Sequence, residues 1–195
     1  MEVVARRGFD ATVEEIAEVS GVSPRTIFRH YRSHDQLILA TVKDMFEECG
    51  RPANELGDDL DGWLDSLAVT IHTRNAEIIG EAFWDIHAPH HNTSEVQSEM
   101  NSLRRDSRIR GVHYLTALAW QAAGGTDEPP KALVLSFALN FSAFSTQALM
   151  IDFDQTPAQV GRLTADILKV VLRRAVEAQG AAGGEGATDA DSDES

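Results

Sequence analysis

The sequence predicts an all-α fold, with a three-helix unit containing a helix-turn-helix at the N-terminus and a helical bundle domain after it. Apolar residues recur at spacings of three and four, and the alternation that marks strands is nearly absent. Cap and stop residues stand where those periodic stretches begin and end.

The elements follow in order. Residues 1–7 read as the last turns of a helix closed by Gly8. A second helix spans about residues 13–19, with Thr12 and Glu15 in capping-box spacing. A third starts at Ser23 as N-cap with Pro24 at the first helical position, and a fourth opens with Ser33 and Gln36 and runs to Gly50. Pro52, Asn54 and Gly57 mark a connection over residues 51–59. Further helices are expected over about residues 60–73, 76–86, 94–123, 130–152 and 156–178, separated by Pro89, Gly124-Gly125, Pro129-Pro130 and Pro157. Domains are expected at residues 1–51 for DNA binding and 52–178 for ligand binding and dimerisation. Residues 179–195 hold small and acidic residues with no large apolar one, and are expected to be a disordered acidic tail.

The 195 residues suffice for a small module joined to a larger helical one. No stretch reaches the roughly 20 apolar residues of a membrane helix, and Met1-Glu2 does not open a secretory signal. A cytoplasmic protein with no membrane partner is expected. The single cysteine, Cys49, excludes an internal disulfide and reads as a small buried residue. No nucleophile elbow, phosphate loop, dinucleotide fingerprint or zinc-protease motif occurs, so neither an enzyme nor a cofactor is expected.

A net charge of −14 argues against nucleic acid until its distribution is considered. After Arg174 the chain has six acids and no base, whereas between Gly21 and His34 it has Arg25, Arg29 and Arg32 and no acid. That basic window coincides with the turn. Small Ala17 permits a close helix crossing, Gly21 permits the tight turn, and Ile16, Val22 and Ile27 are expected to form the shared seam. Ile27 and Tyr31, four apart, face inward and leave Arg25, Thr26 and Arg29 outside. Arginine can bond a guanine edge bidentately and a threonine methyl can pack on thymine, so these three are the candidates for base contacts. Ser23 offers a hydroxyl and helix N-terminal amides to a phosphate.

Gly8-Phe9-Asp10-Ala11-Thr12, Val13-Glu14-Glu15-Ile16-Ala17, Gly21-Val22-Ser23 and Thr26-Ile27-Phe28-Arg29-His30-Tyr31 together resemble the N-terminal signature of TetR-type regulators. The resemblance spans about 40 residues. It implies that the second helix of the motif enters the major groove of a palindromic double-stranded operator, and that Thr12, Phe28, His30 and His34 contact phosphates. Three positions differ from the family pattern. Thr12 stands alone where two Ser/Thr residues are usual, Phe28 lacks the hydroxyl of a frequent tyrosine, and His34 replaces a lysine. A weaker operator binder, tightening as pH falls, is the expectation. Only residues 1–7 precede the family's glycine, so either the start lies upstream of Met1 or the first helix is short.

Operator binding by such a unit calls for two copies. Leu163, Ile167 and Val170 on the last helix, with Val160 and Val171, and Leu135 and Leu139 on the preceding one, are the candidate homodimer contacts; the resemblance implies a four-helix interface. Trp63, Phe83, Trp84, Tyr114, Trp120 and Phe144 can line an apolar pocket for a small-molecule effector, although aromatics at helical spacing are more often core. His87, His90 and His91 read as a polar loop around Pro89, with no metal site assigned. Arg104, Arg105, Arg108 and Arg110 can bind an anion or an acidic surface; with Glu99 and Asp106 nearby, a solvated salt-bridged face is favoured. The function expected is a sequence-specific transcription regulator, a repressor released by its effector. The alternative is a TetR-like helical regulator with weakened DNA binding that acts through a protein partner.

Overall fold

The computed structural model describes residues 1–49, 51–52, 54–78 and 95–188, and all regular structure among them is helical. Local signals decide the first elements. α1 (Glu2–Arg7) buries Val3, Val4 and Ala5 and ends at Gly8. After a 3-10 turn at Gly8–Asp10 comes α2 (Val13–Ser20). It carries the expected capping box: the Glu15 amide donates to Thr12 Oγ1 at 3.2 Å and the Thr12 amide to Glu15 Oε2 at 2.8 Å. Gly21 then turns left-handed at φ 69°, so that the Val22 amide reaches the Ala17 carbonyl at 3.2 Å and its own amide reaches Glu18 at 3.4 Å. This paired closure requires the positive φ that glycine adopts without a Cβ clash. α3 (Pro24–His30) starts from Ser23, whose Oγ accepts from the Thr26 amide at 3.2 Å. α4 (His34–Cys49) follows.

Val13, Ala17, Ile27 and Leu37 close the core of this unit, with Ile16 and Tyr31 half-buried against it. Val22, expected in that seam, is 42% exposed. The left-handed turn carries it outward, and Val13 and Leu37 take its place. A second cluster joins Val3, Val4, Ile38, Val42 and Met45 to Met100 from a later helix. The N-terminal unit therefore shares its core with the rest of the chain.

The remaining helices are α5 (Leu60–Ile78), α6 (Glu95–Ala122), α7 (Lys131–Asn140), α8 (Ala143–Asp152) and α9 (Pro157–Thr188). Three expectations are corrected. The run over residues 130–152 is two helices bent by 48°, because Ser142 caps α8 by accepting the Phe144 amide at 3.2 Å. No break follows residue 73: Arg74 stays helical while its guanidinium donates to the Glu48 carbonyl at 2.8 Å and to that of Arg51, tying α5 to the end of α4. α9 continues past residue 178 to Thr188, and Gln179 Nε2 donates to Thr126 Oγ1 at 2.6 Å. That bond ties the helix to the loop after α6 at residue 179.

Among the described residues α5 and α9 pair most extensively, and Gly161 is what lets them meet. A Cβ on Gly161 would lie 2.5 Å from the Val69 Cα. Lys169 to Asp65 and Arg173 to Asp61, each 2.6 Å, flank the same contact. Around it, Leu64, Leu67 and Ile71 pack with Leu115, Trp120, Leu133, Phe137, Leu168 and Leu172. Full burial of each such side chain removes apolar surface worth about 1.5–3 kcal/mol from water. Among the described residues no single helix is long and apolar enough to cross a membrane; α7 and α8 reach that length and hydropathy only together, across their bend.

Candidate nucleic-acid interface and effector cavity

α3 buries Ile27 and turns Arg25, Phe28, Arg29 and His30 to solvent, with Thr26 half-buried between them. Arg25, Thr26, Phe28 and Arg29 border one shallow surface depression. The three residues expected to read bases therefore lie together on the outer face of the second helix of the turn. Among the described residues neither Arg25 nor Arg29 forms an ion pair, and Arg29 Nη2 lies 3.5 Å from His30 Nε2. Both guanidiniums are available to an anionic partner.

The residues expected to clamp phosphates are placed less uniformly. Phe28 and His30 are exposed beside the arginines. Thr12 is committed to its cap: its hydroxyl donates to Glu15 Oε2 at 3.0 Å while accepting the Glu15 amide. Those bonds from Thr12, first its amide and then its hydroxyl, hold the Glu15 carboxyl below its usual pKa, helped by Arg7 and Arg6. Ser23 Oγ likewise accepts the Thr26 amide and lies 3.0 Å from Thr26 Oγ1. His34 departs furthest from expectation. Its Nε2 donates to the Ala11 carbonyl at 2.6 Å, and its Nδ1 lies 3.6 Å from Asp35. The ring thus fastens the start of α4 to the residues before α2.

A cavity of about 120 Å³ opens between α4, α5, α6 and the α7–α8 bend. Of the aromatics expected to line a pocket, Phe144 does so, joined by Phe46 and Phe141, which the sequence reading missed. Trp63 and Trp120 are core residues whose indole N–H groups donate to the carbonyls of Asn54, at 3.2 Å, and Thr126, at 3.0 Å. Tyr114 is 57% exposed. Phe83, Trp84, His87, His90 and His91 lie outside the described residues, as does the side chain of Cys49.

A polar knot beneath the cavity also escaped the sequence reading. His72 is fully buried, with Nδ1 2.8 Å from Thr146 Oγ1 and Nε2 2.9 Å from Thr164 Oγ1. Asn75 Nδ2 donates to the same Thr146 hydroxyl at 3.1 Å. Burial pushes the His72 pKa down to about 4, so the neutral ring links α5, α8 and α9. Two polar residues on the α5 stripe that carries Leu64, Leu67 and Ile71 were the available signal.

The stripe expected on the last helix divides. Val160 is buried with Leu168 and Leu172, whereas Leu163, Ile167 and Val170 are exposed. On α7, Leu133 and Phe137 fill the core while Leu135 and Leu139 stand outside, the latter 67% exposed. The arginine group divides as well: Arg105 pairs with Asp106 at 3.3 Å on the surface, whereas Arg104 and Arg108 border the cavity.

Residues 1–41 match the profile of the family described as bacterial regulatory proteins, tetR family. Curated relatives include proteins named HTH-type transcriptional regulator BetI. Those from Brucella canis and Brucella melitensis biotype 2 are 38% identical over 84 residues, covering 43% of this chain and 38% of theirs. That from Brucella abortus is 38% identical over 55 residues, 28% of each chain. The chain thus spans well under half the length of the relatives it matches. No solved structure matches it.

Proposed function

We propose that this chain, whose residues 1–41 match the profile of the tetR family of bacterial regulatory proteins, is a homodimeric, sequence-specific transcription regulator, a repressor released from its operator by a small molecule. One observation carries the reading: Arg25, Thr26 and Arg29 share the outer face of the second helix of a helix-turn-helix, in a stretch free of acids. The groove-facing arginines read base edges, the Thr26 methyl packs on thymine, and Phe28, His30 and the α3 N-terminus at Ser23 meet the backbone. Two copies are needed to span two half-sites. The exposed rows Leu135–Leu139 and Leu163–Ile167–Val170 offer apolar surface for pairing α7 and α9 with their counterparts.

Release requires the effector to favour one of two states. α4 is the link that can carry this bias. Phe46, near its C-terminal end, borders the cavity, and His34, at its N-terminal end, holds the Ala11 carbonyl ahead of α2. A ligand that displaces Phe46 tilts α4 and, with it, the recognition helix.

The test is a titration of the protein against its own upstream DNA at several salt concentrations. Sequence-selective binding with a steep salt slope is expected. Arg29→Ala should weaken it about tenfold to a hundredfold and relax preference at one base per half-site. An equal loss for all sequences would make Arg29 a phosphate contact. Absence of selective binding would favour the second reading, action through a protein partner, which is supported by the commitment of Thr12 and His34 to internal bonds.

A further inference from the structure

Arg104 and Arg108 lie one turn apart on α6 and both border the cavity, together with Asn75 and Ser107. Like charges at this spacing repel. Among the described residues no carboxylate pairs with either one; Asp106, the nearest acid in sequence, pairs with Arg105. Arg108 Nη2 donates to the Ala138 carbonyl at 2.8 Å, which fixes its guanidinium at the cavity wall. Arg104 Nε is shielded from solvent and has no hydrogen-bond partner among the described residues. Burial, then the neighbouring Arg108 and Arg105, hold the Arg104 pKa below its ordinary value. A buried donor without an acceptor, beside a second cation, is a cost the fold keeps at a concave site, and a bound anion removes it. The lining also includes apolar side chains, Val112 and Leu115 further along α6 and Ile71 and Phe141 from α5 and the α7–α8 bend.

We propose that the cavity takes a small amphiphilic carboxylate, its apolar body against Ile71, Val112, Leu115 and Phe141 and its carboxylate against Arg104 and Arg108. This rests on the reading of the cavity as the effector site and gives that effector a charge and a size. A benzene ring fills a cavity of about 150 Å³, so a cavity of about 120 Å³ that opens to solvent encloses only part of a small aromatic or short-chain acid and excludes anything larger. A planar, bidentate donor pair recognises a carboxylate over its amide, because the amide's NH2 cannot accept and meets the guanidinium as donor against donor.

Benzoate, hexanoate, benzamide and benzylamine are titrated into the full chain at constant ionic strength and followed by calorimetry and thermal shift, with no DNA present. Saturable binding of a carboxylate, at least tenfold tighter than benzamide and with benzylamine weakest, is expected. Arg104→Gln and Arg108→Gln should each weaken the carboxylate at least tenfold and leave benzamide unchanged, which shows that the cavity remains folded. Arg105→Gln, on the surface, should change neither. Equal or tighter binding of benzamide or benzylamine overturns the proposal, as does failure of both carboxylates to bind or indifference to the Arg104 and Arg108 substitutions. If a carboxylate binds as expected but operator affinity is unchanged by it, the site stands and release by an effector falls.

Discussion

His72 makes the fold acid-sensitive through one buried ring. Its pKa is about 4 in the folded chain, against an ordinary value of 6.5, because burial disfavours the imidazolium. Above pH 6.5 the ring is neutral in both folded and unfolded chains and contributes no pH dependence. Between pH 6.5 and about 4 the unfolded chain binds a proton that the folded chain refuses, so stability falls as pH falls, by about 1.4 kcal/mol per unit. The loss accumulates to about 3 kcal/mol at pH 4 and then levels off, since below that both states are protonated. Urea unfolding of the parent chain and of His72→Gln, at fixed protein concentration from pH 7.5 to 4, isolates the effect. Carboxylate titrations are common to both proteins and cancel in the difference. The glutamine variant lacks the imidazole titration, so the parent's stability advantage should shrink by about 3 kcal/mol across the range. A difference that stays flat with pH would refute the assignment of His72 as a buried neutral ring between Thr146 and Thr164.

Three further outcomes are expected. Gly161→Ala sets a methyl 2.5 Å from the Val69 Cα and should cost about 1–3 kcal/mol in urea unfolding by prying α9 from α5; an unchanged midpoint would mean the two helices separate freely. Thr12→Ala removes the α2 cap and should destabilise by about 0.5–2 kcal/mol, so a loss of DNA binding with stability unchanged would return Thr12 to the role of phosphate contact. Leu163→Glu, at a side chain 47% exposed, should leave the circular dichroism spectrum intact while shifting sedimentation from dimer to monomer. Unfolding of this variant, or an unaltered dimer, would remove Leu163 from the proposed interface.

The parts of the candidate interface that were legible in the sequence are those fixed by neighbours within four residues. The Thr12–Glu15 box, the Gly21 turn, the Ser23–Pro24 start and the outward placement of Arg25 and Arg29 all follow from i,i+3 and i,i+4 geometry. The bond from His34 to the Ala11 carbonyl was not legible, because its partner is 23 residues away. Arg104 was read with Arg105, Arg108 and Arg110 as one charged face, although Met100 four residues before it and Ser107 and Gly111 after it place it on the side of α6 that turns inward. Trp63 and Trp120 are buried away from the cavity that Phe144 borders, and the carbonyls of Asn54 and Thr126 that satisfy their indole N–H groups lie in loops the periodicity does not place.

By itself, then, the sequence determined an all-α chain and a helix-turn-helix with two arginines on its outer face, since caps, turns and helix faces are set by steric and hydrogen-bonding rules local to the chain. Tertiary structure alone decided that α6 enters the core of the N-terminal unit at Met100, that His72 is a neutral buried link, and that Arg104 and Arg108 border the cavity. Those outcomes depend on how helices far apart in sequence meet, and helical periodicity gives the face of each helix without naming the helix it will face.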